Sequence, residues 1–223
     1  MKKYISLLLA ILVIASSVMV FAEKPDEAGL EILKKYGIMV GDPDGNLRLE
    51  DTITRAEAAK MIITLQNYAP NTEDNSVLME KSEFPDVWET HWAKPYINTA
   101  KALRIIEGDE KGNFNPENNI TNEEIVKMLV SALGYSPMAE TTGGFPGGYI
   151  NTSSRIGLTE GLVFEVGTAA TRSDAAKLFI NALDIPLMGQ TKWSADGSHE
   201  YVIFDGNNAD RKTILTEHWG VKE

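Results

Sequence analysis

The chain has 223 residues, with 32 acidic against 21 basic side chains, a formal net charge of −11 and no cysteine. Such an acidic chain is unsuited to binding nucleic acid or an anionic membrane by bulk charge, so an anionic ligand would have to be held by local cations. Without cysteine, the chain cannot be a disulfide-stapled miniprotein and must be stable through packing alone.

Residues 1–22 have the layout of a secretory signal peptide. Lys2 and Lys3 precede an apolar run, and Val20-Phe21-Ala22 places small residues at the −3 and −1 positions of a cleavage site. An uncleaved membrane anchor is the alternative, but the run is short for a membrane span. We therefore expect a secreted protein with a mature net charge near −13, since Lys2 and Lys3 are lost, and without membrane contact after cleavage.

Three degenerate copies of one pattern follow, which marks a repeat architecture. Residues 33–68 align with residues 100–135 without a gap at an offset of 67. The segment 96–99 (Tyr-Ile-Asn-Thr) recurs at 149–152, an offset of 53, and the segment starting at Thr54-Arg55 recurs at Thr171-Arg172. The third copy has a loop that is three residues shorter than that of the second.

Each copy predicts a helix, a loop and a second helix. The first helix is expected to end near a glycine, namely Gly41, Gly108 or Gly161. The second is expected to start at Thr54, Thr121 or Thr171 and to carry apolar residues at helical spacing. One helix pair cannot bury its apolar stripe, whereas three pairs can, so we predict an all-α unit.

The predicted organisation has six parts. Residues 1–22 are the signal peptide, 23–68 repeat 1, 69–83 a linker, 84–135 repeat 2, 136–188 repeat 3, and 189–223 a β-prone tail or the start of a further region. Within the tail, residues 200–204 predict a strand and residues 205–207 a turn.

The segment Asp42-Pro43-Asp44-Gly45 favours a turn between the helices of repeat 1. It also resembles a calcium-binding loop, but such a loop needs glycine at its sixth position and glutamate at its twelfth. Counted from Asp42, glycine falls fourth and Ile53 twelfth, so we interpret it as a turn.

The starts of the second helices carry the sharpest local signal. Thr54 with Glu57 fits the capping box, in which the threonine and the acid satisfy backbone donors reciprocally. Capping does not explain Arg55 or Arg172, because a cation is mildly unfavourable at a helix N-terminus. Such an arginine, with free helix N–H groups, could complete a site for a carboxylate or phosphate. A solvated arginine remains the alternative.

The sequence contains no set of residues typical of catalysis, and His91 is a poor candidate metal ligand because only three histidines are present. We therefore expect no enzyme activity, no cofactor and no metal.

The motifs together resemble the S-layer homology (SLH) domain family. They are Gly-Asp-Pro-Asp-Gly-Asn at 41–46, Ile-Thr-Arg-Ala-Glu-Ala-Ala-Lys at 53–60, Phe-Pro-Asp-Val at 84–87 and His-Trp-Ala at 91–93. The resemblance covers about residues 28–185 and implies a pseudo-threefold bundle with grooves between the repeats. It also implies binding of acidic, often pyruvylated, secondary cell-wall polysaccharide in those grooves, which would hold the protein to the bacterial cell wall or surface layer.

The candidate ligand-binding residues are Arg55, Arg172, Thr54, Thr171, Gly41, Asp42, Gly108 and Trp92. Asn122 stands where the family has arginine, so we expect at most two strong sites. Two alternatives stay open at this point. The chain could be a structural module that assembles with other surface-layer subunits after its sugar binding has decayed, or the anchor of a longer extracellular enzyme.

Overall fold

The computed structural model describes residues 24–68, 81–163, 165–193, 199–207 and 209–222. The predicted signal peptide and most of the predicted linker lie outside these residues. The described part of the chain contains seven α-helices and one antiparallel pair of strands, as expected for an all-α fold with a short β tail. No helix among these residues is long and apolar enough to cross a membrane.

Each repeat supplies one first helix and one second helix. The first helices are α1 (Glu27–Lys35), α3 (Lys94–Ala102) and α6 (Gly147–Arg155). The second helices are α2 (Arg55–Leu65), α4 (Asn122–Ala132) and α7 (Arg172–Ala182). A short helix that the sequence analysis did not predict, α5 (Ser136–Thr141), precedes α6.

The helices pack in a closed ring rather than as isolated hairpins. Helix α2 of repeat 1 packs on α3 of repeat 2, α4 of repeat 2 packs on α6 of repeat 3, and α7 of repeat 3 returns to α1 of repeat 1. The last contact is close, because a Cβ on Gly29 of α1 would lie 2.6 Å from the Ile180 side chain of α7. The prediction that three helix pairs bury one another is confirmed.

A triangle of backbone hydrogen bonds marks the pseudo-threefold axis. Ile120 N–H donates to Ile53 O at 3.0 Å, Ala170 N–H to Ile120 O at 2.9 Å, and Ile53 N–H to Ala170 O at 3.2 Å. The three residues are fully buried and each stands immediately before the threonine that caps a second helix. The triangle gives the third copy the same place in the fold as the other two.

The first helices end earlier than expected. The residue with positive φ that follows each helix lies four positions before the predicted glycine. Helices α1, α3 and α6 end before Gly37, Arg104 and Gly157, which adopt positive φ of 66°, 58° and 81°. Gly41 serves the following turn instead, because a Cβ there would lie 2.8 Å from the backbone of Gly45. In repeat 1 the pattern misled because Gly37 and Gly41 both follow an apolar or aromatic residue.

The predicted turns are present. Asp42 Oδ1 accepts the N–H groups of Asp44 and Asn46 at 3.0 and 2.9 Å, and Gly45 N–H donates to Asp42 O. Asp109 plays the same part in repeat 2. The Asp42 carboxylate is therefore engaged in forming the turn.

The C-terminal tail packs on the repeats. Strands β1 (Met188–Trp193) and β2 (His199–Ile203) pair antiparallel, which confirms the predicted strand and adds its partner. A π-helical turn (Ile214–His218) follows. Trp219 Nε1 then donates to Leu65 O at 2.9 Å, and its ring lies 4.3 Å from that of Tyr36. The tail thus covers the C-terminal end of α2.

Candidate ligand-binding clefts between the repeats

The first N–H groups of the second helices bond to the next repeat. Arg55 N–H donates to Asn118 O at 2.9 Å, Asn122 N–H to Thr168 O at 3.1 Å, and Arg172 N–H to Asp51 O at 2.7 Å. The third N–H of α2, that of Glu57, donates to the hydroxyl of the capping residue Thr54, and Thr171 caps α7 in the same way. The capping boxes are therefore confirmed there, but the N–H groups expected to face an anion are already occupied, which corrects the sequence-based argument.

Arg55 holds repeat 1 against repeat 2. Its Nε donates to Phe114 O at 2.8 Å, its Nη1 lies 2.7 Å from Glu124 Oε1, and its guanidinium stands over the Phe114 ring. The side chain is only 14% exposed. The guanidinium therefore joins the repeats, a role that the sequence analysis did not consider.

Arg172 repeats this arrangement between repeat 3 and repeat 1. Its Nε donates to Leu47 O at 2.5 Å and its Nη2 to Val40 O at 2.9 Å, while Glu57 Oε1 lies 3.7 Å from Nη1. Leu47 and Glu57 are the counterparts of Phe114 and Glu124 at the offset of 67. The arginine step is thus a repeated inter-repeat contact.

The boundary between repeats 2 and 3 is held differently. Asn122 Nδ2 lies 3.3 Å from Thr168 Oγ1, and Glu123 accepts the Gly167 N–H with both oxygens at 3.0 and 3.1 Å. Asn122 and Glu123 are buried. The shorter loop of repeat 3 brings its backbone within reach of a carboxylate, so this boundary does not use an arginine.

One cleft opens where Arg55 meets repeat 2, and we call it the R1–R2 cleft. It has a volume of about 400 Å³. Its polar and aromatic lining residues include Arg55, Glu107, Asp109, Asn115, Glu124, Lys127 and Phe145. Lys127 Nζ lies 2.7 Å from Glu107 Oε2 and over the rings of Phe145 and Tyr149.

A smaller cleft opens where Arg172 meets repeat 1, and we call it the R3–R1 cleft. It has a volume of about 160 Å³. Its lining residues are Ile38, Met39, Val40, Glu57, Lys60, Met61, Trp92 and Arg172. Lys60 and Lys127 are counterparts at the offset of 67, and Trp92 and Phe145 at the offset of 53. The two clefts are therefore equivalent features of successive repeats.

The predicted site residues divide between these clefts and the framework. Arg55 and Gly108 line the R1–R2 cleft, and Arg172 and Trp92 line the R3–R1 cleft. The other four, Thr54, Thr171, Gly41 and Asp42, do not line either cleft, because they cap helices or build a turn.

Sequence reasoning missed Lys60, Lys127 and Phe145 as lining residues. The repeat alignment held the signal for all three, since both lysines end the recurring Thr-x-x-x-x-x-Lys segment and Phe145 aligns with Trp92.

Neighbouring residues lower the pKa values of two carboxyl groups in the R1–R2 cleft. The Lys127 ammonium, through its hydrogen bond and its charge, lowers the pKa of Glu107. Hydrogen bonds from Asn115 and from the Asn113 N–H lower the pKa of Asp109. Both groups therefore stay ionised at neutral pH. The described residues contain no group of three or more His, Asp or Glu side chains that could hold a metal ion.

A closed ring of three helical repeats with equivalent clefts at two of its boundaries defines a repeat-built module. Residues 23–59 and 83–125 match the S-layer homology domain. The chain therefore belongs to the S-layer homology domain family and is a secreted protein attached to the cell wall. Its general role is anchoring at the cell surface.

Similar proteins include cell wall and surface layer proteins. The chain is 31% identical to the middle cell wall protein of Brevibacillus brevis over 86% of its own length, and 29% identical to a surface layer protein of Brevibacillus choshinensis over 76%. It is 35% identical to an uncharacterized cell wall amidase of Bacillus anthracis over 41%. The matched parts span only 17%, 15% and 16% of those relatives.

Proposed function

We propose that the module anchors its protein by binding an acidic secondary cell-wall polysaccharide, such as a pyruvylated polymer, in the R1–R2 and R3–R1 clefts. The observation that carries the proposal is the recurrence of one set of side chains at two repeat boundaries. Each cleft combines an arginine, a lysine and a half-exposed aromatic ring, namely Trp92 or Phe145.

This combination suits an acidic sugar polymer. The lysines supply charge-assisted donors for carboxylate or hydroxyl oxygens. The aromatic rings offer apolar surface on which a sugar ring can lie. Two clefts on one rigid module would also bind one long polymer more tightly than either cleft alone, because the second contact is intramolecular.

The test is sedimentation with purified cell walls. Replacing Arg55 and Arg172 would confuse binding with folding, since both join repeats. Lys60→Ala with Lys127→Ala removes one cation from each cleft, leaves the contacts of both arginines in place and should abolish co-sedimentation. Lys34→Ala with Lys222→Ala removes the same charge from exposed positions outside the clefts and should bind like wild type. If the cleft variant sediments like wild type, with an unchanged circular dichroism spectrum, the proposal fails.

A matched aromatic pair adds a second readout. Trp88 and Trp92 are 64% and 52% exposed, but only Trp92 lines a cleft. Trp92→Ala should weaken wall binding several-fold, whereas Trp88→Ala should leave it unchanged. Equal losses in the two variants would mean that any exposed tryptophan near this surface contributes, and would count against the cleft.

A structural surface-layer role is the second candidate function. The observation that favours it is the use of Arg55 and Arg172 as inter-repeat contacts, which explains both arginines without a ligand. This role predicts self-assembly of the module with its own copies or with other surface-layer subunits, without any dependence on wall polysaccharide. Light scattering with and without added polymer separates the two functions.

We also propose that this module is an anchor and not itself an enzyme. The similarity to an uncharacterized cell wall amidase and to an amylopullulanase of Thermoanaerobacterium thermosulfurigenes, each matched over a small part of its length, supports an anchor that can accompany different chemistries. Hydrolysis of purified cell walls or of α-glucan by residues 24–222 alone would overturn this proposal.

A further inference from the structure

The two clefts carry the same framework but a different charge. The R1–R2 cleft places the cations Arg55 and Lys127 beside three carboxylates, those of Glu107, Asp109 and Glu124. The R3–R1 cleft places Arg172 and Lys60 beside one carboxylate, that of Glu57. The first cleft therefore has an excess of negative charge and the second an excess of positive charge.

One substitution between the repeats accounts for one of the two additional carboxylates in the R1–R2 cleft. Glu107 of repeat 2 aligns with Val40 of repeat 1 at the offset of 67. In the R1–R2 cleft, Glu107 is bonded to Lys127 at 2.7 Å, so an anionic ligand would have to displace a carboxylate from that lysine. In the R3–R1 cleft, Val40 gives Lys60 no such partner, and the described residues include no carboxylate paired with Lys60.

The arginine of the R3–R1 cleft is also less closely paired with a carboxylate than the arginine of the R1–R2 cleft. Arg55 is in tight contact with Glu124 at 2.7 Å, whereas Arg172 lies 3.7 Å from Glu57. A close ion pair leaves little attraction for a further anion, while a looser pair leaves more. Lys60 is thus the least compensated cation in either cleft.

We propose that the two clefts bind different sugar units of the polymer. This division of binding between the clefts rests on the polysaccharide binding proposed above. The R3–R1 cleft takes the carboxylate-bearing sugar unit, with Lys60 as the residue that determines specificity for the acid. The R1–R2 cleft takes an uncharged sugar unit, held by hydrogen bonds and by the Phe145 ring. Lys60 and Lys127 therefore have different tasks despite equivalent positions.

Reciprocal exchange of the differing residue tests the division. Val40→Glu gives Lys60 the carboxylate that Lys127 has, and Glu107→Val takes that carboxylate away from Lys127. The backbone bond from Arg172 to Val40 O does not depend on the side chain at position 40. Each variant is titrated with purified secondary cell-wall polysaccharide and with the same polymer after reduction of its carboxyl groups to alcohols.

Wild type should bind the native polymer about tenfold more tightly than the reduced polymer, the effect of one charge-assisted contact. Lys60→Ala and Val40→Glu should remove this preference. Lys127→Ala should weaken binding of both polymers by the same factor, and Glu107→Val should strengthen binding of the native polymer alone.

The possible failures are distinguishable. If wild type binds neither polymer, the proposed function itself fails, and this division with it. If wild type prefers the native polymer and Val40→Glu and Lys60→Ala keep that preference, the division fails while polysaccharide binding stands. Loss of the preference in Lys127→Ala would assign the acidic sugar to the R1–R2 cleft and would likewise overturn the division.

Discussion

Arg55 Nη1 and Glu124 Oε1 lie 2.7 Å apart across the boundary between repeats 1 and 2. Glu124 also accepts the Thr121 N–H at 2.9 Å, so one carboxylate caps the helix of its own repeat and holds the arginine of the previous one. Glu57 combines the same two contacts with Thr54 and Arg172, at a longer distance to the arginine. Helix capping and repeat assembly therefore share their residues.

This relationship predicts that Arg55→Ala destabilises the fold even without ligand. The variant loses the bond to Phe114 O and the contact with Glu124, which should lower the free energy of unfolding by about 2 kcal/mol. Urea unfolding followed by circular dichroism measures the loss. Arg48→Ala, at an exposed arginine with a 3.5 Å surface pair, should change stability far less. An unchanged midpoint for Arg55→Ala would contradict the inter-repeat role.

At the third boundary, the buried carboxylate of Glu123 takes the part that arginine plays elsewhere. Glu123→Ala leaves the Gly167 N–H without its acceptor and should lower the free energy of unfolding by about 1–3 kcal/mol. Glu110→Ala, at an exposed loop position of the same repeat, is the matched control and should be neutral. Equal midpoints for the two variants would show that the trimmed loop is held without this carboxylate.

The sequence predicted the repeats, the second helices and the capping boxes because these depend on contacts within a few residues. Thr54 and Glu57, for example, are three positions apart. The partners of Arg55 could not be predicted, because Glu124 and Phe114 are brought to it only by closure of the ring. The end of the first helix could not be predicted either, because the apolar pattern favoured Gly41 over Gly37. Only the backbone geometry shows that Gly37 has a positive φ and that Gly41 is needed for close approach to another segment.

Alanine substitutions at two glycines with positive φ distinguish the cost of backbone strain from the cost of a steric clash. Gly37 has open space around its missing side chain, so Gly37→Ala should cost only the strain of the left-handed conformation, about 1 kcal/mol. At Gly134, a Cβ would lie 1.9 Å from Met188 O, so Gly134→Ala must also displace the start of β1. We expect the larger loss of stability there.

Amide hydrogen exchange can detect the displacement of β1 in Gly134→Ala. Met188 N–H donates to Leu133 O at 3.0 Å, and this amide should lose protection in Gly134→Ala but keep it in Gly37→Ala. Retained protection at Met188 in both variants would mean that the tail tolerates the added methyl group.

The docked tail also predicts a dependence of stability on pH. Burial is the main cause that lowers the pKa of His218 below its ordinary value of 6.5. Asn67 Nδ2 donates to His218 O at 2.6 Å, so the residue lies at the contact between the tail and repeat 1. A histidine whose pKa is lowered by folding binds its proton more readily in the unfolded chain. Its contribution is therefore complete above pH 6.5 and is lost as the pH falls from there toward the lowered pKa.

Urea unfolding at pH 7.5 and pH 5.5 measures this effect. Wild type should be less stable at pH 5.5, and His218→Gln should reduce the difference, because glutamine does not titrate. The carboxyl groups of Glu107 and Asp109 have lowered pKa values and stay ionised throughout this window, so they do not contribute to the change. An identical pH dependence in wild type and His218→Gln would assign the effect to another group and would contradict this role of the His218 side chain.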